Sequence, residues 1–150
     1  MKLRLPFARL LLPLLMVSAV TAFAASPSRV LSLAGPAAVK PGSGVTVVVT
    51  VSTDATDGEE IGFFHAEFST DSGKSWKPVY LDKLGRSASQ PINFQAGADG
   101  TTALVRVRIA FRGGKAGDVD YSGGPIAWEG SWGKWTTPPA KSISIKVTSK

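Results

Sequence analysis

Apolar and polar residues alternate along most of this chain, and the alternation sets its elements. In residues 45–53, Val45, Val47, Val49 and Val51 fall on one side and Thr46, Val48, Thr50 and Ser52 on the other. That two-residue period is the mark of a strand with one buried face. Residues 101–112 repeat it, with Val105, Val107, Ile109 and Phe111 set against Arg106, Arg108, Ala110 and Arg112. Residues 61–81 read as a hairpin. Phe64, Ala66 and Phe68 alternate with Phe63, His65 and Glu67, and Trp76, Val79 and Tyr80 begin the return strand. The turn between them, 69–75, holds Asp71, whose carboxylate can bond the following backbone, and Gly73, which tolerates positive φ. Residues 29–33 and 142–148 predict outer strands, the latter burying Ile143, Ile145 and Val147, and Ile92 and Phe94 mark a short one. Residues 37–44, with one proline and two glycines, suit a bend or an edge strand, and 82–90 read as a polar connection. No segment after residue 24 keeps a helical period, so the chain is predicted to be all-β.

Seven short alternating runs within one domain's length predict a two-layer antiparallel sandwich. The PGSG lead into VTVVVTV, the AEFSTDSGKSW hairpin, the VRVRIAF strand, and Pro138-Pro139 before SISIKV together resemble a fibronectin type III or related bacterial immunoglobulin-like domain. The resemblance covers residues 25–150 and implies an immunoglobulin-like sandwich in which the strand holding His65 and Glu67 lies beside VRVRIAF. Glu67 would then face Arg106 or Arg108 in a cross-strand charge ladder on a solvated face. The long segment 113–139 departs from the compact plan of that family. Ser69, Asp71, Gly73 and Trp76 spell S-x-D-x-G-x-x-W, which resembles the Asp-box turn of sialidase-like β-propellers. A single copy in so short a chain implies a structural turn rather than a propeller blade.

The first 24 residues change the picture of charge and compartment. Lys2, Arg4 and Arg9 precede an apolar run from Leu10 to Val20, and Ala22-Phe23-Ala24 supplies an A-x-A cleavage site. That is the plan of a signal peptide, and with Pro13, Ser18 and Thr21 inside it the apolar run is short for a membrane span. Cleavage would leave residues 25–150 as one secreted or periplasmic domain of a bacterium, with no stable membrane span. It would also lower the formal charge from +6 to +3, which weakens any nucleic-acid reading. There is no cysteine, so neither disulfides nor thiol lipidation can hold or anchor the domain.

Candidate chemistry is sparse. One histidine, no cysteine and no G-x-S-x-G leave no nucleophile–base set, and no cofactor or zinc site is expected. Asp54 and Asp57, with Glu59 and Glu60, and separately Asp118 and Asp120, are weak calcium candidates. Their spacing misses the D-x-D-x-D-G loop, and they read as solvated loops. The segment 113–139 carries Tyr121, Trp128, Trp132 and Trp135, three of the chain's four tryptophans. A long aromatic loop on a small sandwich either folds inward or presents its rings to a partner. Those four residues are therefore the candidate binding site. The expected function is an exported, non-enzymatic interaction module whose partner is another exported protein. The alternative is a carbohydrate-binding module that stacks its tryptophans on a polysaccharide.

Overall fold

The computed structural model describes residues 28–82, 84–114 and 139–150. The leader 1–24, the residues Tyr121, Trp128, Trp132 and Trp135, and the pair Asp118 and Asp120 lie outside the described residues. Eight strands follow in order: β1 (Arg29–Ala34), β2 (Ala38–Val39), β3 (Gly44–Thr53), β4 (Glu60–Ser69), β5 (Lys77–Asp82), β6 (Ser87–Gln95), β7 (Thr102–Arg112) and β8 (Lys141–Val147). They form a three-stranded sheet, β1-β3-β6, and a five-stranded sheet, β2-β8-β7-β4-β5. No helix occurs among the described residues.

The two sheets share one apolar core, to which the first contributes Leu31, Val45, Val47, Val49, Val51 and Ile92, and the second Phe64, Val107, Ile109 and Ile145. Each fully buried valine or leucine contributes roughly 1.5–3 kcal/mol relative to exposure. With no disulfide to assist, that core carries the fold. Pairing is antiparallel throughout except between β2 and β8, which run parallel. The chain changes sheets at Gly35-Pro36, so β1 pairs with β3 while β2 joins the other layer.

One element departs from the sequence reading. Residues 82–90 were expected to connect, yet β6 already begins at Ser87 and pairs Ser87–Gln90 with Val49–Ser52 of β3. The cause is chemical sameness: Ser87 and Ser89 point outward and Ala88 and Gln90 inward, so hydropathy barely alternates. Along this β3–β6 ladder Thr53 N–H donates to Arg86 O, and Ala96 N–H to Ser43 O. Ladder bonds alternate along an antiparallel strand, so Ser87, Ser89, Pro91, Asn93 and Gln95 turn their amide side away from β3. Pro91 thus sits where its missing N–H costs no ladder bond, and it interrupts the open edge of the sheet.

Candidate functional site

The outer face of the five-stranded sheet gathers a row of ionisable side chains. Antiparallel register sets Glu60 opposite Arg112, His65 opposite Arg108 and Glu67 opposite Arg106, while β5 places Tyr80 beside His65. The cross-strand partnership of Glu67 with Arg106 matches the sequence reading. The solvated setting does not: His65 is 0% exposed, Arg108 4% and Glu67 8%. Around His65, Glu67 and Arg108 the strands β4 and β7 are buried on both faces, so period-two alternation there marks two different interiors rather than inside and outside.

Burial of this kind demands partners. Arg106 donates from Nε and Nη2 to Glu67 Oε2 at 2.7 and 2.5 Å, and its guanidinium lies over the Trp76 ring at 3.9 Å. Glu67 Oε1 lies 3.4 Å from His65 Nε2. Arg108 Nε donates to His65 Nδ1 at 3.1 Å. Since Nδ1 accepts, the imidazole proton sits on Nε2 and faces Glu67. The Tyr80 ring stacks on the imidazole with centroids 4.5 Å apart. Burial, reinforced by the Arg108 charge and opposed by Glu67, lowers the His65 pKa from 6.5 to about 4. The imidazole is therefore neutral near pH 7, with its free lone pair committed to Arg108. That arrangement binds strands together.

Both ends of the sandwich are tied by carboxylates. Asp71 accepts from the Ser75 amide at 3.0 Å and the Ser75 hydroxyl at 2.6 Å, and Ser69 Oγ donates to it at 2.7 Å. The Ser75 and Ser69 bonds hold its pKa well below the usual carboxylate range. Gly73 has φ 85° and Ser72, a non-glycine residue, φ 62°. Ser72 holds that left-handed conformation by donating its N–H to Thr102 O and accepting from Thr102 N–H. The S-x-D-x-G-x-x-W turn is thus a structural device that docks the hairpin onto β7. Gly97 lets a second loop approach: a Cβ there would lie 1.9 Å from Thr70 O.

At the opposite end the acidic loop is only partly solvated. Glu59 is fully buried, taking Arg29 Nε at 2.8 Å and Nη2 at 2.5 Å together with the Thr53 hydroxyl at 2.8 Å. The Arg29 bonds lower its pKa against the opposing effect of burial. Arg29 also covers the Phe111 ring at 4.9 Å, so it clasps one sheet to the other. Asp54 accepts from Ser28 N–H and Asp57 from Glu59 N–H. Among the described residues no three His, Cys, Asp or Glu side chains gather as metal ligands.

The outer face of the three-stranded sheet is the opposite in character. Its rows are Val30–Ser52–Ser87, Ser32–Thr50–Ser89, Ala34–Val48–Pro91, Thr46–Asn93 and Gly44–Gln95. All are solvent-exposed except Val48 and Ser52, which are part-buried, and none carries a charge. Val30 is 44% exposed. Thr46 Oγ1 donates to Asn93 Oδ1 at 2.8 Å, which leaves the Asn93 amide N–H groups facing solvent. At the Gly44 end lies an open depression of about 260 Å³, lined by Gly44, Val45, Thr46, Asn93, Phe94 and Gln95. Sequence reasoning missed this face. The signal was present in the even-numbered residues of β3 and the odd-numbered residues of β6, all uncharged, but it appears only once register sets them side by side.

No protein-family model matches the chain, and no curated protein matches it in sequence.

Proposed function

We propose that this chain is an exported, non-enzymatic binding module with an immunoglobulin-like, fibronectin type III-like sandwich. The strand order supports that class: the first strand region is shared between the layers, and the β4–β5 hairpin lies against β7. The observation that carries the binding reading is the contrast between the two outer faces. His65, Glu67, Arg106, Glu59, Arg29 and Asp71 are engaged in holding the fold, whereas the outer face of the three-stranded sheet is uncharged and, but for part-buried Val48 and Ser52, exposed. Both partner classes expected from sequence, an exported protein and a polysaccharide, were placed on the aromatic segment, which lies outside the described residues. The described surface favours polysaccharide, because a face of hydroxyl and amide groups suits a polyhydroxyl polymer.

Co-sedimentation of the mature chain with polysaccharides, followed by sizing of the polymer, tests the reading. Retention with the polymer length unchanged is expected. Release of shortened polymer would contradict a non-enzymatic module, and retention by an exported protein alone would return the partner to that class. Sequencing the exported material should find Ala25 at its N terminus. Retention of residues before Ala22 would contradict cleavage after Ala24.

A further inference from the structure

The outer face of the β1-β3-β6 sheet has a shape and chemistry of its own, and they narrow what can lie on it. From the Gly44–Gln95 row to the Ser52–Ser87 row the face is nine residues long, about 27 Å at ~3.4 Å per step. Its three strands, ~4.8 Å apart, make a spine only about 10 Å wide. The resulting patch of a few hundred Å² falls well short of the roughly 800 Å² per partner that a stable protein interface uses. A second copy of the chain or a globular partner is thus poorly matched, while a single extended polymer is well matched. Strand addition along the β6 edge is obstructed at its centre, where Pro91 removes the outward donor.

The side chains narrow the choice again. No cation is present in the five rows to hold a phosphate, sulfate or carboxylate, and no anion to hold a basic segment. What the face offers is alternation across its length. Ser32, Thr50 and Ser89 form a hydroxyl row, Ala34, Val48 and Pro91 an apolar row, and Thr46 with Asn93 an amide-and-hydroxyl row. A pyranose ring presents the same alternation, hydroxyls around its edge and C–H groups on its faces. The depression at Gly44, bordered by Thr46, Asn93 and Gln95, provides room and uncharged hydrogen-bonding groups for a substituent of the chain.

We infer that this face is a docking surface for a neutral polysaccharide laid along the strands, with the C–H face of one ring over the Ala34–Val48–Pro91 row and hydroxyls of that ring and its neighbours on the flanking rows. The inference rests on the binding-module reading and assigns the site to residues of β1, β3 and β6 rather than to Tyr121, Trp128, Trp132 and Trp135.

Affinity electrophoresis of the mature chain tests it, using gels containing a neutral β-glucan, a neutral galactomannan or an anionic polyuronate. The wild type should be retarded by at least one neutral polymer and pass freely through the polyuronate gel. Thr50→Lys places a long charged side chain at the centre of the face without touching the core, and it should lose about tenfold in affinity while its thermal melt stays unchanged. Retardation of wild type and Thr50→Lys alike would overturn this face as the site and leave the module reading standing. Retardation only in the polyuronate gel would overturn the neutral ligand. Free passage through all three gels, or a concentration-dependent dimer abolished by Thr50→Lys, would overturn the inference in favour of another occupant.

Discussion

The two outer faces of the sandwich invert the usual distribution of charge. The face of β4 and β7 carries buried Glu67, Arg108 and His65 with half-buried Arg106, while that of β1, β3 and β6 is neutral and stands largely in water. Burying charge is costly unless every charged atom has a partner. The buried face meets that condition through register. Each acid or imidazole of β4 lies directly opposite an arginine of β7, so the ladder that pairs backbone groups also pairs charges. The exposed face has no such constraint, and its neutrality is not required by folding. The contrast teaches which residues maintain the structure and which are left available, and charge alone would have assigned them the wrong way round.

The largest effect that could break this comparison is expected on the buried face. Glu67→Ala removes the carboxylate that Arg106 and His65 share, and should cost about 3 kcal/mol of folding stability by denaturant unfolding. Glu67→Leu/Arg106→Leu, which removes both charges together, should lose less than the single variant. A loss below 0.5 kcal/mol, taken as the scale of ordinary surface changes, would place Glu67 in a solvated setting after all. Next in size is the hairpin turn. Gly73→Val forces a β-branched residue into φ 85° with Leu104 Cδ1 3.3 Å from the added Cβ, and should cost roughly 1–3 kcal/mol. An unchanged melting temperature would show that the turn relaxes freely. The smallest effect belongs to the exposed face, where Thr50→Lys should alter stability by no more than about 0.5 kcal/mol. A much larger loss would mean that the neutral face also carries structure.

Much of the fold was legible because β3, β4 and β7 alternate strongly, and the Glu67–Arg106 partnership followed from the resemblance that set β4 beside β7. The polar start of β6 was not, since Ser87, Ala88, Ser89 and Gln90 offer no hydropathy contrast. Alternation also tells which side chains share a face but not what environment that face meets, so His65 and Arg108 were placed in water when they are buried. Glu59 was hidden for another reason: its partner Arg29 is thirty residues away, and no local spacing joins them. The neutral face was overlooked because it consists of the residues that a search for chemistry passes over.

His65 offers the most direct test of the central claim, that the charged face is an interior. It is the only histidine in the chain, so one pair of imidazole nitrogen signals reports on it without ambiguity. A folded-state pKa lowered to about 4 from 6.5 means that the unfolded chain binds the extra proton between those values. Its contribution is therefore fully present above about pH 6.5 and is lost as pH falls towards 4, by up to about 3 kcal/mol. The lowered carboxyl groups of Glu59 and Asp71 lose their contributions as pH falls through and below the ordinary carboxylate range. In a nitrogen-15 NMR titration of the folded protein, the imidazole should remain neutral with its proton on Nε2 down to about pH 5, and its midpoint should lie near 4. A midpoint at or above 6.5, or a proton on Nδ1, would contradict the buried, paired face.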